Sequence, residues 1–254
     1  MRPCKHLFSL EKYASLYNLL SQNGIINATR NIERKAEKMR YLEEKKEMIA
    51  RFRKLYESGM INMFEGNITV RMPDCILVTP SQMEKDRITP EMIIEMDMDG
   101  NIIGDPPSKP SSEYKMHLAV YRLRDDLKAV VHTHSAHATS FATAGQPVSG
   151  NMAEIFMFFG GEIPVCSYGA PGSDAIYADF PRYFVQEDKD AVLLANHGVV
   201  TAGKSLADAY SKTEAAEKLA MIEKEVRLLG TENELSGEER AQLLAFYKNR
   251  KNRP

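Results

Sequence analysis

The chain has 254 residues, a formal net charge of −2 and a pI near 6.3, so its overall charge gives no reason to expect nucleic-acid binding. A hydrophobic content of 43% is ample for a buried core, whereas no apolar run approaches the roughly 18 residues that would span a bilayer. Cys4, Cys75 and Cys166 are odd in number and widely spaced, which excludes a disulfide scaffold or a Cys-x-x-Cys zinc module and fits a reducing cytoplasm. No membrane and no nucleic-acid partner are expected.

In chain order, Leu7, Leu10, Tyr13, Ala14, Tyr17 and Leu20 recur at helical spacing, and Asn23-Gly24 supplies a stop. A second helix, rich in Lys, Arg and Glu, is predicted from about Ala28 to Ser58, ended by Gly59, with Ile49, Phe52 and Leu55 on its apolar side. Residues 1–47 read as an N-terminal helical extension and 48–254 as one domain. Short β-prone runs follow at 67–72 and 75–81, joined by Pro73-Asp74, then at 93–98 and 101–103, joined by the hairpin signal Asp99-Gly100. A helix is predicted over Ser111 to Arg124, its serines capping the start and Glu113 in its first turn.

The apolar run Ala129-Val130-Val131 leads into His132-Thr133-His134, and a strand sends every second side chain to one face, so both imidazoles leave the sheet together. Neutral imidazole suits zinc, copper, iron and nickel, and a catalytic zinc usually takes three protein ligands. His197, at the end of a second apolar run, is the natural third. A lone His on an apolar strand is more often a hydrogen-bonded core residue than a ligand; two strand-end histidine motifs together carry the metal reading. Helices are predicted at 136–144, 151–159 and 205–229, a loop at 162–173, and a short helix carrying Phe246 and Tyr247 after the polar tail from Gly230. Early hairpins and later helices between strands predict an α/β fold: a single three-layer αβα domain with a mostly antiparallel central sheet.

Gly66-Asn67-Ile68-Thr69, Thr79-Pro80-Ser81, Pro110-Ser111-Ser112-Glu113 with His117, His132-Thr133-His134-Ser135 and Asn196-His197-Gly198 resemble, in order and spacing, the class II aldolase/adducin family, over about Ile49 to Leu229. The resemblance implies that His132, His134 and His197 ligate one zinc ion. Glu113 would be the acid/base carboxylate, able to approach the metal when substrate is absent. Asn67, Ser81, Ser111 and Ser112 would form a phosphate cradle. The implied reaction is cleavage of a phosphorylated ketose, similar to L-fuculose 1-phosphate, to dihydroxyacetone phosphate and an aldehyde through a metal-stabilised enediolate.

Within the family, Ile163-Pro164, Tyr168 and Gly172-Ser173 resemble the loop of fuculose-phosphate aldolases. The tyrosine of that loop protonates the departing aldehyde's oxygen in a neighbouring subunit's site, which implies a homotetramer with shared sites. Two departures stand out: Gln82 where many relatives have Gly, and the long N-terminal extension. An epimerase similar to L-ribulose-5-phosphate 4-epimerase, or an adducin-like interaction module without catalysis, are the alternative readings.

Overall fold

The computed structural model describes residues 40–251. The predicted leading hairpin and the first part of the predicted 28–58 helix lie outside them. The described helix, α1 (Leu42–Glu57), starts later than its sequence pattern suggests, because Tyr41 has a positive φ of 53° that an α-helix does not accept. It buries Met48, Ile49, Phe52 and Leu55, much as the spacing predicts, and Gly59 follows at φ 72°.

Among the described residues, eight strands form one sheet: β1 (Asn67–Arg71), β2 (Ile76–Val78), β3 (Ile94–Met96), β4 (Ile102–Ile103), β5 (Ala129–Thr133), β6 (Val165–Cys166), β7 (Ala191–Leu194) and β8 (Gly198–Gly203), in the spatial order β4-β3-β2-β1-β5-β8-β7-β6. Both early hairpins form, β1 with β2 and β3 with β4. The sheet is mixed, however, because β6 runs parallel to β7 while the other neighbours are antiparallel. Residues 162–173, predicted wholly as loop, contain β6. Two residues show no alternation, and a parallel neighbour requires a long crossover, here residues 167–190.

Helices α2 (Tyr114–Leu123), α3 (Ala136–Ala144), α4 (Ala153–Phe159), α5 (Leu206–Leu229) and α6 (Gly237–Lys251) complete the fold. Period-2 alternation decides which of them meets which face. Val192, Leu194, Val200 and Ala202 join a cluster with Met116, Leu118, Val120 and Tyr121 of α2. Ala191, Leu193 and Val199 join another with Phe141, Ile155, Phe159, Ala216 and Leu219 from α3, α4 and α5. Ser205 caps α5 by accepting from the Asp208 N–H, and Gly230 ends it in the left-handed conformation. The α6 helix is longer than predicted, and Tyr247 is buried with its hydroxyl donating to the Asp188 carbonyl. Its neighbour Phe246 is exposed.

The strand sequence Gly198-Val-Val-Thr-Ala-Gly203 is absent from the sequence reading, although its β-branched run carries the signal. It pairs with both β5 and β7 and so lies in the interior of the sheet.

Candidate functional site

Three parts of the chain meet at one end of the central strands. His132 lies within β5 and His134 just beyond it, so the pleat sends both rings the same way; their Nε2 atoms are 3.0 Å apart. His197 sits in the three-residue connection between β7 and β8, not at a strand end. Leu194 and Gly198 are paired across this connection, and Asn196 takes φ 57°, which Asn tolerates better than most side chains. Gly198 then passes so close to β5 that a Cβ there would lie 2.4 Å from the Thr133 carbonyl oxygen and about 3 Å from both the His132 and His134 rings. Only glycine lets β8 bring His197 against the other two.

Glu113 is the fourth member. It occupies the N-cap position of α2 and not its first turn, with φ −93° and ψ 7° and its backbone N–H donating to Ser111 Oγ. Its Oε2 is 3.4 Å from His132 Nε2 and its Oε1 is 3.1 Å from His197 Nε2. One ligand atom from each of Glu113, His132, His134 and His197 falls within a 4.8 Å span. Donors bonded to zinc at about 2.0–2.1 Å in a tetrahedron stand about 3.3 Å from one another, so spacings of 3.0 to 3.4 Å fit a small divalent metal. Three nitrogens and a carboxylate also suit zinc chemically, although the same set would accept other divalent ions.

The protonation states agree. Burial pushes His132 down to about 4, opposed by Glu113, and burial likewise lowers His134, so both imidazoles are neutral at pH 7, as metal ligation needs. Burial alone would raise Glu113, but His132, His197 and the Asn67 hydrogen bond outweigh it and hold the carboxyl well below the usual range. The outer nitrogen of His132, Nδ1, is 3.0 Å from the Val199 carbonyl, which selects the tautomer with Nε2 free for a metal.

Around this set the sequence-predicted residues divide. Asn67 is opposite His132 across β1 and β5 and donates from Nδ2 to Glu113 Oε2 over 2.9 Å, leaving its buried Oδ1 without a partner among the described residues. Ser81 and Ser111 lie on segments bridged at Pro80 and Pro110: the Ser81 N–H donates to Lys109 and the Ser111 N–H to Thr79. Ser112 is exposed and lines a small recess with Glu113, Gly172 and Ser173. Tyr168 stands apart in the loop after β6, 62% exposed and without a hydrogen-bond partner among the described residues. His117 is a buried structural residue, its Nδ1 2.9 Å from Thr69 Oγ1, which also contacts the Tyr121 hydroxyl. Gln82, the departure from the resemblance, has φ 53°, a left-handed backbone that glycine adopts freely and Gln at a cost.

Two carboxylates that the sequence reading missed buttress the site. Glu217 of α5 accepts the His137 and Ala138 N–H groups, otherwise unsatisfied at the start of α3 immediately after His134. Glu65 Oε1 lies 3.5 Å from His134 Nδ1. The glutamate preceding Gly66-Asn67 is the only sequence signal for the latter, and a single charged loop residue does not announce a role.

Residues 46–223 match the family model described as class II aldolase and adducin N-terminal domain. The chain belongs to the class II aldolase/adducin family. An L-fuculose phosphate aldolase of Methanocaldococcus jannaschii is 35% identical over 179 residues, covering 70% of this chain and 94% of the relative. A 3-oxo-tetronate 4-phosphate decarboxylase of Haemophilus influenzae is also 35% identical, over 186 residues, covering 71% and 87%. Among solved structures, an L-fuculose 1-phosphate aldolase superposes with a TM-score of 0.74 at 30% identity, covering 80% of this chain and 95% of that one. These relatives bear out the expectation of an enzyme of the class II aldolase type, and they carry more than one reaction. Among the described residues no helix is long and apolar enough to cross a membrane.

Proposed function

We propose that the protein is a divalent-metal-dependent aldolase that cleaves a phosphorylated ketose, similar to L-fuculose 1-phosphate, to dihydroxyacetone phosphate and an aldehyde. The observation that carries this reading is the convergence of His132, His134 and His197 on Glu113, with Asn67 bonded to the same carboxylate. His132, His134 and His197 would hold the metal, with zinc the ion their chemistry suits and Glu113 a fourth ligand when no substrate is present. When bound, the metal supplies Lewis-acid stabilisation of the negative charge that develops on the ketose oxygens.

The chain's own residues do the rest. Cleavage of a carbon–carbon bond beside a ketone leaves one carbon electron-rich, and Glu113 moves the proton to and from that carbon. Its burial and its contacts fix it at the reacting position. Asn67, Ser81, Ser111 and Ser112 bind the phosphate with an amide and hydroxyls, without a lysine or arginine among them; the Ser81 and Ser111 N–H groups are already held by the Lys109 and Thr79 carbonyls. The hydroxyl that becomes the aldehyde oxygen must lose its proton in cleavage. A tyrosine such as Tyr168 therefore donates only in the condensation direction, which reverses the sequence-based expectation for the departing aldehyde.

Tyr168 is exposed within one subunit, which is consistent with service to the site of a neighbour in a homotetramer. The N-terminal segment 1–47 is proposed as an accessory extension and 48–254 as the catalytic domain. Nothing in the charge balance calls for a nucleic-acid partner, and a cytoplasmic location suits a sugar-phosphate substrate.

The decarboxylase relative supplies the second reading, since loss of carbon dioxide from a 3-oxo acid phosphate leaves a similar electron-rich carbon. Incubation with a panel of phosphorylated ketulose and 3-oxo acid substrates separates the possibilities by product. Aldehyde with dihydroxyacetone phosphate supports the aldolase; carbon dioxide, or an epimerised pentulose phosphate without free aldehyde, overturns it.

A further inference from the structure

The three imidazoles are not supported alike. His132 has its outer nitrogen held by the Val199 carbonyl, whereas the outer nitrogen of His197, Nδ1, is buried without a partner among the described residues. The outer nitrogen of His134 faces Glu65, whose Oε1 is 3.5 Å from Nδ1. Resting on the metal reading above, we infer that Glu65 is a positioning residue of the metal site, holding His134 in the tautomer and ring orientation that directs Nε2 at the metal.

The loop carrying Glu65 is built to hold it. Asn62 Oδ1 accepts the N–H groups of Phe64 and Glu65, at 2.9 and 3.0 Å, and the Asn62 N–H donates to Glu65 Oε2 at 3.3 Å. One carboxylate oxygen is thus tied to its own loop and the other is turned to the imidazole. Gly66 fixes the approach from the other side. With φ 71°, it has no room for a side chain, because a Cβ would lie 2.4 Å from Ile61 Cγ2 and 3.1 Å from the His132 carbonyl oxygen. The loop is therefore pressed against β5 where the ligand run begins. This gives the Glu65-Gly66-Asn67 sequence two distinct tasks: Asn67 holds Glu113 and Glu65 holds His134.

An acceptor on the outer nitrogen orients a ligating imidazole and raises its basicity, and removing such a partner typically weakens metal binding about 10–100-fold. A backbone carbonyl serves His132; a side chain serves His134. The support at His134 can therefore be removed by mutation without altering any ligand.

The test measures zinc affinity of the full chain by competition with a chromogenic chelator, together with the visible spectrum of the cobalt-loaded protein. Glu65→Ala is expected to bind zinc about 10–100-fold more weakly and to shift the cobalt bands, while its metal-free thermal unfolding stays near that of the native chain. Glu65→Gln retains an acceptor oxygen and is expected to restore most of the affinity. Asn62→Ala, which loosens the loop without touching the carboxylate, is expected to weaken binding in the same direction by less. Glu65→Ala with native affinity and spectrum, or Glu65→Gln as weak as Glu65→Ala, overturns the inference. His134→Ala is the control. If it also retains zinc, the metal reading itself fails, whereas zinc loss there beside native affinity in Glu65→Ala overturns the role of Glu65 alone.

Discussion

Asn67 and Glu113 lie 46 residues apart in sequence and share a 2.9 Å hydrogen bond, amide Nδ2 to carboxylate Oε2. Strand pairing explains it: Asn67 opens β1 directly opposite His132, so the first residue of this interior strand is carried to the metal set. The bond helps keep Glu113 ionised, and it also occupies an amide that the phosphate reading assigns to substrate.

Removing that bond should raise the Glu113 pKa, because a donor to the carboxylate favours its charged form. Asn67→Ala is accordingly expected to move the acid limb of the kcat/KM profile to higher pH and to raise KM for a phosphorylated substrate. Glu113→Gln is expected to keep bound metal while losing about 10²–10⁴-fold in exchange of the carbon-bound proton with solvent. Isotope exchange followed by NMR, with metal content measured on the same sample, checks both halves of the statement.

Gly198 offers a test that leaves every ligand in place. A single methyl group there would collide with the Thr133 carbonyl and crowd the His132 and His134 imidazoles. Gly198→Ala should separate β8 from β5, weaken metal binding strongly and lower the melting temperature, as expected for an overpacked buried position costing about 1–3 kcal/mol or more. Native affinity in that variant would show that the sheet tolerates the displacement and that the close approach is incidental.

Stability should fall in mild acid for a reason separate from the metal. Burial first, and then the His132 charge, push His117 down to about 3, with Glu113 opposing, against an ordinary value near 6.5. Between those values the unfolded chain binds a proton that the folded chain excludes, so stability is lost as pH falls below about 6.5, at up to about 1.4 kcal/mol per pH unit from this group. Urea unfolding of metal-free protein between pH 7 and 4.5 measures the slope. His117→Leu leaves the Thr69 and Tyr121 hydroxyls bonded to each other and should flatten it by about one proton.

Much of this site is legible in the sequence because its parts are short, local and chemically distinctive. The His132 and His134 pair announces itself through strand alternation, and the early hairpins through their turn residues. The sites of failure were of another kind. The start of α1 at Leu42 depends on one backbone angle at Tyr41, the short strand β6 depends on its neighbour β7, and Glu113 stands just before its helix instead of within it. Glu65 and Glu217 act through contacts made only after distant segments pack, across 69 and 80 residues of sequence respectively, and no local pattern encodes that.

The shared-site reading predicts complementation. Tyr168→Phe and His134→Ala should each be inactive alone, and dissociation and mixing should return part of the activity, because some mixed oligomers pair an intact Tyr168 with an intact metal site. No recovery in verified mixed oligomers, or full activity in a monomer, contradicts an intersubunit tyrosine.

The central claim is metal-dependent carbon–carbon cleavage, and a titration tests it most directly. Protein stripped by chelator is reloaded with zinc in increments while dihydroxyacetone phosphate release from L-fuculose 1-phosphate is followed. Activity should rise from near zero and level off at about one equivalent per chain, the stoichiometry of a single three-histidine site. Cleavage that persists in the stripped protein, or a fully loaded protein that releases no dihydroxyacetone phosphate, would contradict it.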